Sequence, residues 1–147
     1  MALLNSVPLA AEPAALRIVT ARDERTLDDH ALVCSLGFGM PLEIAKAVVS
    51  PRLLEALDAE LHVGYIDGQP VTSSALFVSH GLGGIYNVAT VDSQRRKGLG
   101  EAMTWHAVRR GRELGCLFSS LQASEMGKPV YERMGFRVVT TYPTLTG

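Results

Sequence analysis

The most restrictive stretch of this sequence is residues 60–91, whose pattern suits a run of antiparallel strands. Leu61, Val63 and Tyr65 recur every second residue, Asp67-Gly68 supplies the positive backbone angles of a tight turn, and residues 71–79 return as a partner strand. A second turn at Gly81-Leu82-Gly83-Gly84 sends residues 85–91 back as a third strand. This meander delivers the chain into Asp92-Ser93-Gln94-Arg95-Arg96-Lys97-Gly98-Leu99-Gly100. Beyond that loop, Leu99, Ala102, Met103, His106, Ala107 and Leu114 fall near 3.6-residue spacing, and Gly115 stops the amphipathic helix they define.

The flanking elements follow from the same reading. Residues 1–14, with Pro8, Pro13 and the single charge of Glu12, show no period and are expected to be an N-terminal arm or linker. Their abrupt start leaves open a longer parent chain. Residues 15–147 are expected to form one domain. A short strand is expected over residues 16–20, then helices over 27–36 and 41–57, separated by Gly37-Phe38-Gly39. Pro41 suits a first helical turn and Pro51 divides the second stretch. Residues 116–123 read as a buried strand, 129–134 as a short helix opened by Pro129 and closed by Gly135, and 136–142 as a last strand. The class is α+β with a mixed sheet, and no segment recurs at a fixed period.

Composition narrows the function. The chain has 147 residues, 47% hydrophobic and 20% charged, which is one globular domain with enough apolar side chain for a core. Its 14 Lys+Arg against 15 Asp+Glu leave a formal net charge of −1, so nucleic acid is not expected as a partner. Residues 68–91 are uncharged but broken by Pro70, His80 and the glycines of the second turn, so no membrane span is expected. The first residues lack the basic and long apolar regions of a secretory signal. Cys34 and Cys116 lie in apolar company with no CxxC or His-Cys spacing, so they read as buried thiols, no metal is implied, and a reducing cytoplasm is expected.

Residues 94–100 place two glycines and three cations between a strand and the first turn of a helix. Unpaired amides at a helix start, the helix dipole, and glycines that let an anion approach make a site suited to a diphosphate. The loop is not a Walker A motif, which needs Gly-Lys followed by Ser or Thr. It also fails the dinucleotide fingerprint, because Met103 stands where the third glycine belongs. Alone, it would also serve as a solvated turn.

A second motif about thirty residues on raises the odds. Arg95-x-x-Gly98-x-Gly100 after a strand, followed by Tyr131-Glu132-Arg133-x-Gly135-Phe136, closely resembles the acetyl-CoA-binding and C-terminal motifs of the GNAT superfamily of N-acetyltransferases. The resemblance covers residues from about 16 to 142 and is strongest from Glu60 onward. It implies the GNAT fold, a mostly antiparallel mixed sheet flanked by helices, and acetyl-CoA as cosubstrate. The cosubstrate is expected in a V-shaped opening between residues 85–91 and 116–123.

The resemblance also assigns residues. The strand carrying Val88, Ala89 and Val91 would pair its backbone with the pantetheine arm as an added strand. The amides of Arg96, Lys97, Gly98, Leu99, Gly100 and Glu101 would hold the pyrophosphate, with Arg95 structural or at the rim. Ser124 stands where many members have an Asn that contacts the pantetheine. Tyr131 would donate to the thiolate that leaves when an amine attacks the thioester; on position alone it reads equally as a core aromatic.

The sequence departs from the best understood members at the general base. Where some carry a glutamate, it reads Gly84-Ile85-Tyr86-Asn87. Ordered water, Glu125, His80 or Tyr86 are the candidates, while His30, His62 and His106 read as packed side chains. Phe38 and Met40 are core or acceptor-site wall. The expected activity is transfer of acetyl to a primary amine of a small molecule or peptide by direct attack, with no acyl-enzyme on Cys116 and a homodimer as the common default. A noncatalytic acyl-CoA-binding module is the alternative from another class, and a nucleotide-dependent oxidoreductase stands third.

Overall fold

The computed structural model describes residues 1–4, 7–48, 54–55 and 58–139. Six strands form one sheet: β1 (Ala2–Leu4), β2 (Arg17–Thr20), β3 (Ala59–Ile66), β4 (Gln69–Ser79), β5 (Leu82–Thr90) and β6 (Phe118–Leu121). Their order across the sheet is β1-β6-β5-β4-β3-β2, and every neighbouring pair is antiparallel except β5 and β6. The helices are α1 (Glu24–Phe38), α2 (Leu42–Val48), α3 (Leu99–Glu113) and α4 (Lys128–Met134), with a 3-10 turn over Asp92–Gln94. This is the expected α+β class with a mixed sheet. Among the described residues no helix is long and apolar enough to cross a membrane.

The meander forms for the reasons its sequence gives. Asp67 and Gly68 take φ of 51° and 77°, the left-handed pair that a two-residue hairpin turn needs. The second turn lies one residue earlier than the glycines suggest. His80 and Gly81 carry the positive φ values, 49° and 79°, and β5 already begins at Leu82. Gly83 lies within the strand, paired with Val78, and a Cβ there would meet Leu76 Cδ1 at 3.2 Å.

Helix α1 begins three residues before the expected Leu27. Asp23 caps it reciprocally with Thr26: Asp23 Oδ1 accepts from the Thr26 amide at 2.8 Å, and Thr26 Oγ1 accepts from the Asp23 amide at 3.3 Å. The helix expected over 41–57 is seen as α2; residues 49–53 and 56–57 of that stretch lie outside the described residues, as do residues 140–142 of the expected last strand.

The first fourteen residues do more than link. Ala2, Leu3 and Leu4 pair with Ser120, Ser119 and Phe118 as an edge strand, and Leu3 is 1% exposed. Glu12 then binds His106 and Arg109 of α3 at 2.8 and 2.7 Å. The bare outer edge of β6 gives these backbone groups partners that an isolated arm would lack.

Alternation along the strands sorts the two faces. Leu61, Val63, Tyr65 and Ala75 join Ala21 and Leu27 under α1, where Tyr65 donates its hydroxyl to Asp29 at 2.6 Å. Leu76, Ile85 and Leu121 face the other way with Trp105 and Val108 of α3, Met134 of α4, and Phe136. On that α3 face His62, fully buried, bonds Ser74 Oγ at 3.2 Å and Glu60 Oε1 at 3.0 Å. Glu60 in turn takes Arg110 Nε at 3.0 Å and Nη2 at 2.6 Å, a bidentate pair, and the His62 bond together with this pair holds its carboxyl well below the usual range.

Candidate active site

The parallel ladder between β5 and β6 runs from Leu82↔Phe118 to Ile85↔Leu121 and ends there. Beyond Ile85, β5 continues to Thr90 while the chain after Leu121 turns away into α4, so the edge of β5 from Tyr86 onward lies open among the described residues. At the same point β5 bulges. Ser73 pairs with Ala89 but Ala75 pairs with Tyr86, so β5 carries one residue more than β4 over this interval. Asn87 absorbs the excess at φ 54°, a conformation that Asn tolerates better than most residues.

The strand leads into the glycine loop, whose backbone geometry suits an anion. Arg96 and Gly98 take φ of 64° and 76°, and Gly98 is the N-cap of α3 with no side chain bonded over the first turn. The first-turn amides are therefore not consumed by a capping side chain, and the helix dipole points its positive end at the same place. Leu99 anchors the turn, at 5% exposure, against Leu16, Val71 and Met103. A Cβ on Gly100 would lie 3.7 Å from Val88 Cγ1, so the loop and the bulged part of β5 are neighbours.

The three cations differ in use. Arg95 is fully engaged: it donates to Gly37 O at 2.8 Å and Thr90 O at 3.2 Å, and pairs with Asp92 at 2.7 Å. It ties the loop to the end of α1, with its side chain half exposed. Lys97 reaches Gln94 Oε1 at 3.0 Å, and Arg96 is exposed.

Other expected residues fall around this centre. Val88 is half-buried against the α3 core, and Ala89 is buried beneath Gly37 with its carbonyl accepting from Thr72 Oγ1 at 2.9 Å. The Val91 amide donates to Val71 O at 2.9 Å, so its N–H is spent on the sheet. Glu101 is half-buried in the first turn of α3. Ser124 is exposed, and its Oγ accepts from the Gly127 amide at 3.1 Å at the entrance to α4.

Tyr131 rises from α4 toward α3. Its ring stands edge-on to Phe136, 5.9 Å between centroids. Thr104, whose hydroxyl influences the phenol, donates its Oγ1 proton to Gly100 O at 2.8 Å in the first turn of α3. Burial pushes the Tyr131 hydroxyl above the ordinary phenol value, with the Thr104 hydroxyl opposing it.

The candidate bases are scattered. Tyr86 is 51% exposed beside the opening, its ring edge-on to Phe77 at 5.2 Å. Glu125 is exposed before α4, and His80 sits at the β4–β5 turn, the end of β5 remote from the loop. Phe38 is 50% exposed, which rules it out of the core. Burial raises both thiols above their usual value, as inert cysteines require.

These features define an α+β protein with the GNAT fold. The model of the Acetyltransferase (GNAT) family matches residues 43–136, and the chain belongs to that family. A Trypanosoma brucei acetyltransferase has a similar structure, with TM-score 0.73 and 26% identity over 88% of this chain and 98% of its own. A GCN5-related N-acetyltransferase from Kribbella flavida gives TM-score 0.70 at 19% identity over 92% of this chain; the match spans 52% of that longer chain. A predicted acetyltransferase from Clostridium acetobutylicum, solved with acetyl-CoA, gives TM-score 0.69 at 17% identity over 89% of this chain and 96% of its own. No curated protein matches the sequence.

Sequence reasoning passed over the hydroxyls of β4. Thr72, Ser73 and Ser74 are each 0% exposed, and the first two bond carbonyls of β5. The signal was present: three consecutive polar residues in the middle of a strand predicted to be central need buried partners.

Proposed function

We propose that the chain transfers an acetyl group from acetyl-CoA to a primary amine by direct attack. The observation that carries this reading is the convergence at one place of three features. They are the end of the β5–β6 ladder at Ile85, the uncapped start of α3 at Gly98, and the Tyr131 phenol on α4, packed against the core that α3 shares with Val88.

In this reading the amides at residues 96–101 hold the diphosphate, and the open edge of β5 takes the pantetheine arm as an added strand. The amine nitrogen attacks the thioester carbon, a C–N bond forms, and the C–S bond breaks with its electron pair leaving on sulfur. Tyr131, kept protonated by its burial, donates its proton to that thiolate. The proton lost by the amine passes to water, Tyr86 or Glu125, and the phenol is restored from solvent. Acetyl-CoA supplies the activated acyl group; the protein supplies position, charge stabilisation and one proton.

One observation favours a noncatalytic acyl-CoA-binding module: no carboxylate stands on β5 beside the opening, where the chain reads Gly84, Ile85, Tyr86, Asn87. Purified protein given acetyl-CoA and a panel of small amines, amino acids and peptides decides between the two. Release of free thiol that depends on an amine supports transfer; heat on CoA binding with no thiol release on any amine supports the module.

A further inference from the structure

Ser73 stands opposite the bulge of β5. Its Oγ donates to the carbonyl oxygen of Asn87 at 2.7 Å, and Asn87 is the left-handed residue of the bulge. With the Ser73 proton committed there, the Cys34 thiol, 3.8 Å from Ser73 Oγ, is the donor of the second contact. Cys34 and Ser73 are buried and Asn87 is half-buried, and a buried hydroxyl is costly unless bonded. Its acceptor belongs to a residue that the bulge leaves without a partner in the ladder, since neither Asn87 nor Val88 is in register with β4.

The consequence follows from peptide geometry. In a planar trans peptide the C=O of one residue and the N–H of the next point in opposite directions. The Asn87 carbonyl turns inward to β4, so the Val88 N–H turns outward, to the edge of β5 that β6 has left. The neighbouring groups keep the same alternation: the Ala89 carbonyl accepts from Thr72 Oγ1, and the Val91 amide donates to Val71 O, both toward β4.

We infer that Ser73 is a positioning residue for acetyl transfer, its hydroxyl holding the Asn87–Val88 peptide so that the Val88 N–H donates to the thioester carbonyl. The inference rests on the acetyl-CoA reading above and adds to it a residue that never touches the cosubstrate. As the amine adds, negative charge gathers on the carbonyl oxygen, and a donor fixed beforehand stabilises it without reorganising. Removal of the hydroxyl frees the Asn87 carbonyl to seek another partner, and the peptide swings with it.

The test compares Ser73→Ala with Ser74→Ala. Both delete a fully buried hydroxyl from the same strand, but Ser74 bonds His62 on the α3 face. Infrared difference spectra of carbonyl-13C acetyl-CoA bound to each protein report hydrogen bonding to the thioester directly and need no acceptor. The thioester stretch is expected at lower frequency in wild type than in free acetyl-CoA, to move back toward the free value in Ser73→Ala, and to stay put in Ser74→Ala. With the amine of the panel that turns over fastest, kcat of Ser73→Ala should fall about 10- to 100-fold. Its affinity for plain CoA, which has no thioester, should stay within about twofold by calorimetry.

An unchanged stretch and kcat in Ser73→Ala overturns the inference. So does an equal change in both variants, or a CoA affinity that falls in step with kcat, because each marks a merely structural role. If Ser73→Ala does not fold, Ser73→Cys keeps the shape with a weaker donor; a smaller shift of the stretch is then expected, and wild-type values overturn the proposal. Absence of CoA binding by wild-type protein would instead remove the reading on which the inference stands.

Discussion

The guanidinium of Arg95 donates to the carbonyl of Gly37 at 2.8 Å, joining the glycine loop to the end of α1 across 58 residues of sequence. The same side chain reaches Thr90 O and Asp92, so one residue fixes the loop against both the end of β5 and the helix that lies over it. Only a planar fork of donors can serve these acceptors together. Arg95→Ala should therefore loosen the loop and weaken CoA binding about tenfold by calorimetry, and Arg95→Lys should recover only part of the loss. The thermal midpoint should fall only slightly, because the side chain is half exposed and its pair with Asp92 is at the surface.

The two loop glycines should respond in opposite ways. Gly98 sits at φ 76° with open space about its missing Cβ, so Gly98→Ala meets no clash but adopts a left-handed backbone at a cost of about 1–2 kcal/mol. Gly100 is in the first turn of α3, and a Cβ there would make ordinary contact with Val88 at 3.7 Å. Gly100→Ala should leave stability unchanged or raise it by up to about 1 kcal/mol, since alanine is the better helix former. Both variants should bind CoA more weakly. Urea unfolding beside CoA titration separates the cases: Gly98→Ala loses both quantities, and Gly100→Ala loses affinity alone.

The parts of this molecule that were legible in sequence are those decided by neighbouring residues. Asp67-Gly68 dictates a hairpin by backbone angle alone, and Gly98-Leu99-Gly100 marks where a strand passes into a helix. What escaped depends on distant partners. The pairing of Ala2–Leu4 with β6 follows from the bare edge of another strand, and nothing within residues 1–14 announces it. The start of α1 was missed by three residues because Asp23 and Thr26 form a reciprocal cap among charged residues, outside the apolar period. The β4 hydroxyls were visible as letters, but their purpose depends on a bulge in β5 that no local pattern reveals. The stretch around Phe38 is too short to show a period and so fits core or acceptor wall alike; half exposure decides against the core.

Tyr131 supplies a prediction about acid catalysis. A phenol that donates to a departing thiolate must be protonated, and burial holds this one above its ordinary value. Tyr131→Phe keeps the ring against Phe136 and deletes the proton, so kcat should fall about 10²-fold while CoA affinity and the thermal midpoint change little. The alkaline limb of the wild-type rate should lie above pH of about 10, the unperturbed tyrosine value, and should vanish from the residual rate of the variant. A rate in Tyr131→Phe equal to wild type would remove the tyrosine from the chemistry and leave it as a core aromatic.

His30 makes stability depend on pH in a direction that can be worked out. The ring is fully buried; it donates from Nδ1 to His62 O at 3.1 Å, and its Nε2 is buried without a hydrogen-bond partner. Burial favours the neutral ring, so the folded state binds a proton only near pH 4, against an ordinary histidine value of 6.5. Above about pH 6.5 neither state binds the proton and the contribution is fully present; as pH falls toward 4 the unfolded chain takes up a proton that the folded chain refuses, and stability is lost. The full loss is about 3 kcal/mol. Burial lowers His62 as well, which adds a loss of the same sign below the ordinary histidine value. Glu60, held low by His62 and Arg110, contributes stability present above the ordinary carboxylate value and lost at still lower pH. Urea unfolding at pH 7.5, 6.0 and 4.5 should show stability declining across the series, and His30→Gln, which cannot take up the proton, should flatten the decline. A wild-type stability that stays level from pH 7.5 to 4.5 would mean that His30 is not buried neutral between α1 and β3.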